Sequence, residues 1–176
     1  DEYRQHLPLA MLDADLANRS ITLMAPSKTY NIPGLGAAFA VIPDATLRRR
    51  FIAAARGIVP DVNVLGLAAT EAAYRDCEDW RSALLQALRS NRDRVEAALA
   101  GMPGLAVSHV EATYLAWIDA RALGVDDPVS FFEAAGVGLS NGADFGLPGW
   151  VRLNFGCPGA TLEAALQRME QACRQR

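Results

Sequence analysis

The sequence is short of the residues that anchor metals and cross-links. Its two histidines, His6 and His109, have no neighbour at ligand spacing, which argues against a metal centre. Three cysteines, Cys77, Cys157 and Cys173, are odd in number and scattered, with no CxxC pair. That pattern fits a reduced, cytoplasmic setting better than a disulfide framework. No apolar run approaches the roughly 18 residues of a membrane-spanning helix, and no charged-then-apolar signal segment opens the chain, so no membrane partner is expected. A basic excess is missing too. The formal net charge is −3, which disfavours nucleic acid as a partner. The triplet Arg48-Arg49-Arg50 is too short to reverse this and reads as a solvated helix face.

Lysine is the scarcest basic residue. Sixteen arginines and one lysine make up the 17 basic positions. In a chain that uses arginine wherever a cation is wanted, the one lysine, Lys28, either survived by chance or has a task that guanidinium cannot perform, and its context decides between them. A guanidinium stays protonated and is a poor nucleophile, whereas an ε-amine can lose its proton and condense with a carbonyl.

What is present is a sizeable apolar fraction, 51% of 176 residues, enough for one substantial core or for one compact domain and part of another. The opening Asp1–His6, without an initiator methionine, reads as the interior of a longer polypeptide. Ser20–Ala25 is β-prone, Ser27–Gly36 reads as a turn-rich loop, and a second strand is predicted over 37–42, so Lys28 is expected on a loop between two buried strands. Asp44 is placed to cap a helix bearing Leu47, Phe51 and Ala55 and closed by Gly57. A long helical tract is predicted over 64–100, broken near Asp76–Asp79, with Trp80, Leu84, Leu88, Val95 and Leu99 on one stripe. Strands are predicted over 105–110 and 113–120, a short helix from Asp127-Pro128 to Ala135, and a loop over 136–149. Trp150–Phe155 alternates as a strand, and Thr161–Arg174 closes the chain as a helix with Leu162, Leu166, Met169 and Cys173 inward.

In the last strand Val151, Leu153 and Phe155 share one face, and Arg152 and Asn154 the other. Arg152 is either an ordinary solvent-facing arginine or a two-pronged clamp for a carboxylate, whose oxygens match the guanidinium fork. The three tryptophans read as core or interface packing, Asp119 and Asp144 as capping or turn residues, Cys157 as a structural small residue and His109 as a sheet residue.

Several stretches are recognisable together and in order. Ala25-Pro26-Ser27-Lys28-Thr29-Tyr30-Asn31-Ile32-Pro33-Gly34-Leu35 resembles the lysine segment of class I/II pyridoxal-phosphate aminotransferases, closest to their cystathionine β-lyase-like branch, the bacterial C–S lyases. Thr113–Asp119, Gly138–Gly146 and Val151–Pro158 resemble later landmarks of that branch. The resemblance implies an α/β chain: the C-terminal part of a fold type I enzyme, with a remnant of the three-layer cofactor domain over 1–90 and a small α+β domain over 91–176. It implies that Lys28 forms the aldimine with pyridoxal 5′-phosphate and that Ser27 lies near the cofactor phosphate. Arg152 then binds the α-carboxylate of an amino-acid substrate, in what is usually a homodimer.

Two departures bear on this. Many relatives carry a cation a few positions after the lysine, where this chain has Pro33-Gly34-Leu35-Gly36-Ala37. The family's phosphate loop, stacking ring and pyridine-nitrogen aspartate all precede the lysine, and the 27 residues before Lys28 hold no such set. The expectation is therefore a C–S β-lyase, with a transaminase as the alternative, in the intact protein. The chain by itself is expected to be inactive, or to serve only as a structural or dimerising piece. Its apolar segments Ile21–Met24 and Ala37–Ile42 are expected to lie exposed, inviting association or disorder.

Overall fold

A computed structural model describes residues 4–176. They divide into two compact units, Gln5–Ala83 and Leu84–Arg176 with Arg4.

In the unit 5–83, Asp13 caps α1 (Ala14–Asn18) by accepting from the Leu16 N–H at 2.8 Å. An antiparallel ribbon follows, β1 (Thr22–Met24) against β2 (Phe39–Val41), with Leu23 opposite Ala40. The turn-rich loop expected between them is instead folded into a helical turn, α2 (Pro26–Thr29), and a 3-10 turn, Pro33–Leu35. Pro26 explains this: at the first helical position its missing N–H costs nothing and its fixed φ is already helical. The strands were expected to be buried, but Leu23 is 69% exposed and Met24, Phe39 and Val41 are exposed as well. Exposure falls on both faces of the ribbon, Leu23 on one and Met24, Phe39 and Val41 on the other, and a two-stranded ribbon buries neither face without a layer over it. The exposed apolar ribbon matches the exposure anticipated for these segments.

Asp44 accepts from the Leu47 N–H at 2.6 Å and starts α3 (Ala45–Ala55) as its position predicts. Asn63 likewise caps α4 (Val64–Asp76) through the Gly66 N–H. The expected break falls at Cys77, after which α5 runs over Glu78–Ala100.

In the unit 84–176, four antiparallel strands lie in the order β3 (Ala106–Val107), β4 (Leu115–Asp119), β6 (Trp150–Asn154), β5 (Ser140–Asn141). Between β4 and β5 comes α6 (Pro128–Ala134), capped by Asp127, and α7 (Gly159–Arg174) closes the chain. Strand period 2 and helix period 3.6 converge on one core. Ala116 and Ile118 of β4, Val151 and Leu153 of β6, and Leu162, Leu166, Met169 and Cys173 of α7 are all buried there with Phe132, Val95 and Leu99. Buried Asn91 donates to the carbonyls of Phe155 and Cys157, both at 2.9 Å, and so ties α5 to the chain leaving β6.

Three expectations are corrected here. Residues 136–149 are not all loop: they contain β5 and a 3-10 turn, Gly142–Phe145, because Ser140 and Asn141 find ladder partners in Arg152 and Val151. His109 lies beyond the end of β3 and meets Glu96 at 3.1 Å rather than sitting in a strand. Of the core or interface packing read for the tryptophans, the core half is corrected: none of the three enters the buried core. Trp80 is 44% exposed, and Trp117 and Trp150 stack on each other, centroids 6.0 Å apart, half-buried on the outer sheet face.

Candidate active site

Lys28 stands in the single turn of α2, exposed. Among the described residues its amine has no hydrogen-bond or ion-pair partner. The turn beneath it is well fastened. Pro26 is buried, its carbonyl accepts from the Tyr30 N–H at 2.9 Å, and the Ser27 carbonyl accepts from the Ile32 N–H at 3.1 Å. Tyr30 is buried against Tyr74 and Trp80, at centroid distances of 5.3 and 6.5 Å. Asn31 then takes a left-handed conformation, φ 54°, which its short polar side chain tolerates better than most. Ser27 is half-buried, and its hydroxyl is unengaged among the described residues.

The 3-10 turn after Lys28 is pinned by α4. Asn63 Nδ2 donates to the Leu35 carbonyl at 3.0 Å. Gly66 makes that approach possible, since a Cβ there would lie 2.6 Å from the same carbonyl oxygen. A hollow of about 420 Å³ opens beside this segment, lined by Tyr30, Asn31, Ile32, Ala69, Ala72, Ala73, Cys77 and Trp80. Its lining carries no charge.

Arg152 belongs to the other unit, in the middle of β6 on the face away from the core. The ladder sets it opposite Trp117 on one side and Ser140 on the other. Its Nη2 donates to Ser140 Oγ at 3.2 Å, and its guanidinium lies over the Phe145 ring, 4.6 Å from the centroid. No carboxylate of the described residues pairs with it. Asp119, the acid of β4 on that outer face, is held by Arg121, whose Nε and Nη2 donate to its two oxygens at 2.9 and 2.7 Å. Those bonds, with the Arg121 backbone N–H, hold the Asp119 carboxyl down at about 2.

Of the residues singled out in the sequence, Ser27 and Lys28 share α2, and Arg152 lies on β6 of the second unit. Ser140 and Phe145 at Arg152 were not assigned roles from the sequence. Their signal is a hydroxyl and an aromatic ring in a turn containing Gly142 and closed by Gly146, one strand away from the arginine, and it has meaning only once β5 and β6 are known to pair.

Comparison with known proteins gives a consistent result. The family model described as aminotransferase class I and II matches residues 7–169. Cystathionine beta-lyase PatB of Bacillus subtilis (strain 168) is 35% identical over 175 residues, covering 96% of this chain and 45% of that protein. The solved structure of OvoB is 50% identical with a TM-score of 0.97, covering 100% of this chain and 46% of that one. Cystalysin of Treponema denticola, a structure containing pyridoxal 5′-phosphate, is 29% identical with a TM-score of 0.90, covering 98% of this chain and 45% of that one. The chain thus spans a little under half the length of each of these proteins.

Proposed function

The chain belongs to the aminotransferase class I and II family, with the fold type I architecture of its structural neighbours, and from that premise we propose that the protein carrying it is a pyridoxal-phosphate-dependent C–S β-lyase of the cystathionine β-lyase type. Residues 1–90 are assigned to the cofactor domain and 91–176 to the small C-terminal domain. One observation carries the reading: the only lysine of the chain presents, from a fastened turn, an amine without a partner among the described residues, in the segment that resembles the family's lysine motif.

The residues present fit part of the cofactor. Lys28 offers the condensing amine for its carbonyl, and Ser27, one position earlier, offers its phosphate a hydroxyl that is unengaged among the described residues. The remaining phosphate contacts and the pyridine-nitrogen contact are assigned to family segments that precede the lysine in the relatives' motif order. When bound, pyridoxal phosphate supplies an electron sink for charge developing at Cα.

This chain's residues supply binding and proton transfer. Arg152 holds the substrate α-carboxylate through its two-pronged edge, which fixes the orientation of the Cα–H bond. Lys28 Nζ, without a partner among the described residues, takes the Cα proton as general base. The sulfur substituent then leaves Cβ with the bonding electron pair, and Lys28, now protonated, supplies the proton that this thiolate takes up. Hydrolysis of the remaining carbon skeleton gives pyruvate and ammonia.

Transamination is the second reading. The family is named for it, and it uses the same two residues, with the proton delivered to the cofactor carbon instead. A homodimer in a cytoplasmic compartment completes the proposal, supported for the compartment by three cysteines that are all free.

The test uses the polypeptide of full family length. Its visible absorbance with pyridoxal phosphate is expected to vanish in Lys28→Ala, and L-cystathionine should yield pyruvate and a thiol. An unchanged chromophore in Lys28→Ala would defeat the assignment of the lysine. A keto acid formed without thiol release would replace the lyase reading by the transaminase one.

A further inference from the structure

We propose that the Ser140–Phe145 turn is a positioning device for Arg152 and thereby sets the site's affinity for the substrate carboxylate. The inference rests on the reading of Arg152 as the carboxylate clamp.

An unrestrained arginine samples many rotamers and must surrender that freedom to bind. At Arg152 two contacts have already removed it. Ser140 Oγ accepts from Nη2 at 3.2 Å, and Cζ lies over the Phe145 ring, 4.6 Å from its centroid. Neither blocks the clamp. A guanidinium has two two-pronged edges that share Nη2, which carries two protons. The hydroxyl takes one of them and leaves the other edge whole, and the uncharged ring does not compete with a carboxylate for it. The competing acid on that sheet face is neutralised, because Asp119 has both oxygens on Arg121.

Packing does not explain where Phe145 sits. It is 52% exposed and outside the core cluster. Among the described residues its ring contacts are the Arg152 guanidinium and Trp117, to which it stands T-shaped, centroids 5.6 Å apart at 88°. The turn is nevertheless built to hold it there. Asn141 Oδ1 accepts from the Ala143 N–H at 3.0 Å, the Leu147 N–H donates to the Gly142 carbonyl at 2.9 Å, and Gly146 (φ 84°) closes the turn. A Cβ at Gly142 would lie 2.5 Å from the carbonyl oxygens of Leu147 and Trp150, so only glycine lets the turn fold this tightly against β6.

The test compares two probes in the full-length protein loaded with pyridoxal phosphate. L-Serine and ethanolamine share the amine and the hydroxymethyl group and differ by the carboxylate, and binding of each is read from the visible absorbance. The parent should prefer L-serine, and Arg152→Ala should abolish the preference. Phe145→Leu and Ser140→Ala should each lower it about tenfold through L-serine alone, while Phe145→Tyr and Ser140→Thr retain it. In the Arg152→Ala background Phe145→Leu should have no further effect. An effect of Phe145→Leu within about twofold of the parent, or one that persists undiminished without Arg152, would overturn the positioning role. If Arg152→Ala itself leaves the preference intact, the clamp reading falls instead, which is a separate result. The two conservative variants guard against misfolding, since a loss that Tyr or Thr fails to restore also counts against the proposal.

Discussion

At Asp119 the pairing with Arg121 has a pH signature of known sign. The carboxyl is held at about 2 in the fold, first by the Arg121 side-chain hydrogen bonds and then by its backbone N–H. A carboxylate depressed in the folded state contributes stability above its unfolded value, and the contribution disappears as pH falls through the folded one. Asp119→Asn should therefore be less stable than the parent at neutral pH, with the difference vanishing between about pH 4 and pH 2. Acid unfolding followed by circular dichroism checks this, and a gap that widens towards low pH would contradict it. Cys173 shows the opposite kind of shift. Burial in α7 raises its thiol above the ordinary value, so it should be the last of the three cysteines to react with iodoacetamide at pH 8, as read by peptide mass spectrometry. Half-buried Cys77 and Cys157 should react first.

Among the elements, the helical turns after β1 depend on the start of α4. Asn63 bonds both the Gly66 N–H and the Leu35 carbonyl, and Gly66 leaves room for that carbonyl. Gly66→Ala gains helix propensity but forces backbone against Cβ, and the clash decides the sign. The variant should lose about 1–3 kcal/mol, as overpacked sites do, and the amides of Ile32 and Leu35 should exchange faster. A stabilised Gly66→Ala protein would show that the Leu35 carbonyl yields at little cost. Asp44→Ala removes the cap of α3 and should cost about 1 kcal/mol by thermal unfolding. Both changes lie outside Lys28 itself, so slower cofactor uptake in Gly66→Ala but not in Asp44→Ala would identify the Leu35 turn as the support of the lysine.

Across the whole molecule the two units differ in how they are held. The unit 84–176 carries the contiguous core, and Phe132 is fully buried in it. Phe132→Ala should cost about 3–5 kcal/mol through lost burial and the cavity left behind. The unit 5–83 exposes Leu23, Met24, Phe39 and Val41, so its amides should exchange well before those of β4 and β6, a contrast that hydrogen-exchange mass spectrometry reads directly. Much of this was legible in the chain. The period-2 pattern of Trp150–Phe155, the period-3.6 pattern of α7, the caps at Asp44 and Asp127 and the break near Cys77 all rest on local chemistry, which a sequence displays residue by residue. So does the singular Lys28, a matter of composition and of one contiguous motif. The tertiary structure alone decided that the strands flanking the lysine segment lie open and that Ser140 and Phe145 close on Arg152. Those outcomes depend on which strands pair and which layers cover them: β1 and β2 join residues 15 to 19 positions apart, and Ser140 meets Arg152 12 positions on, through ladders that no local pattern encodes.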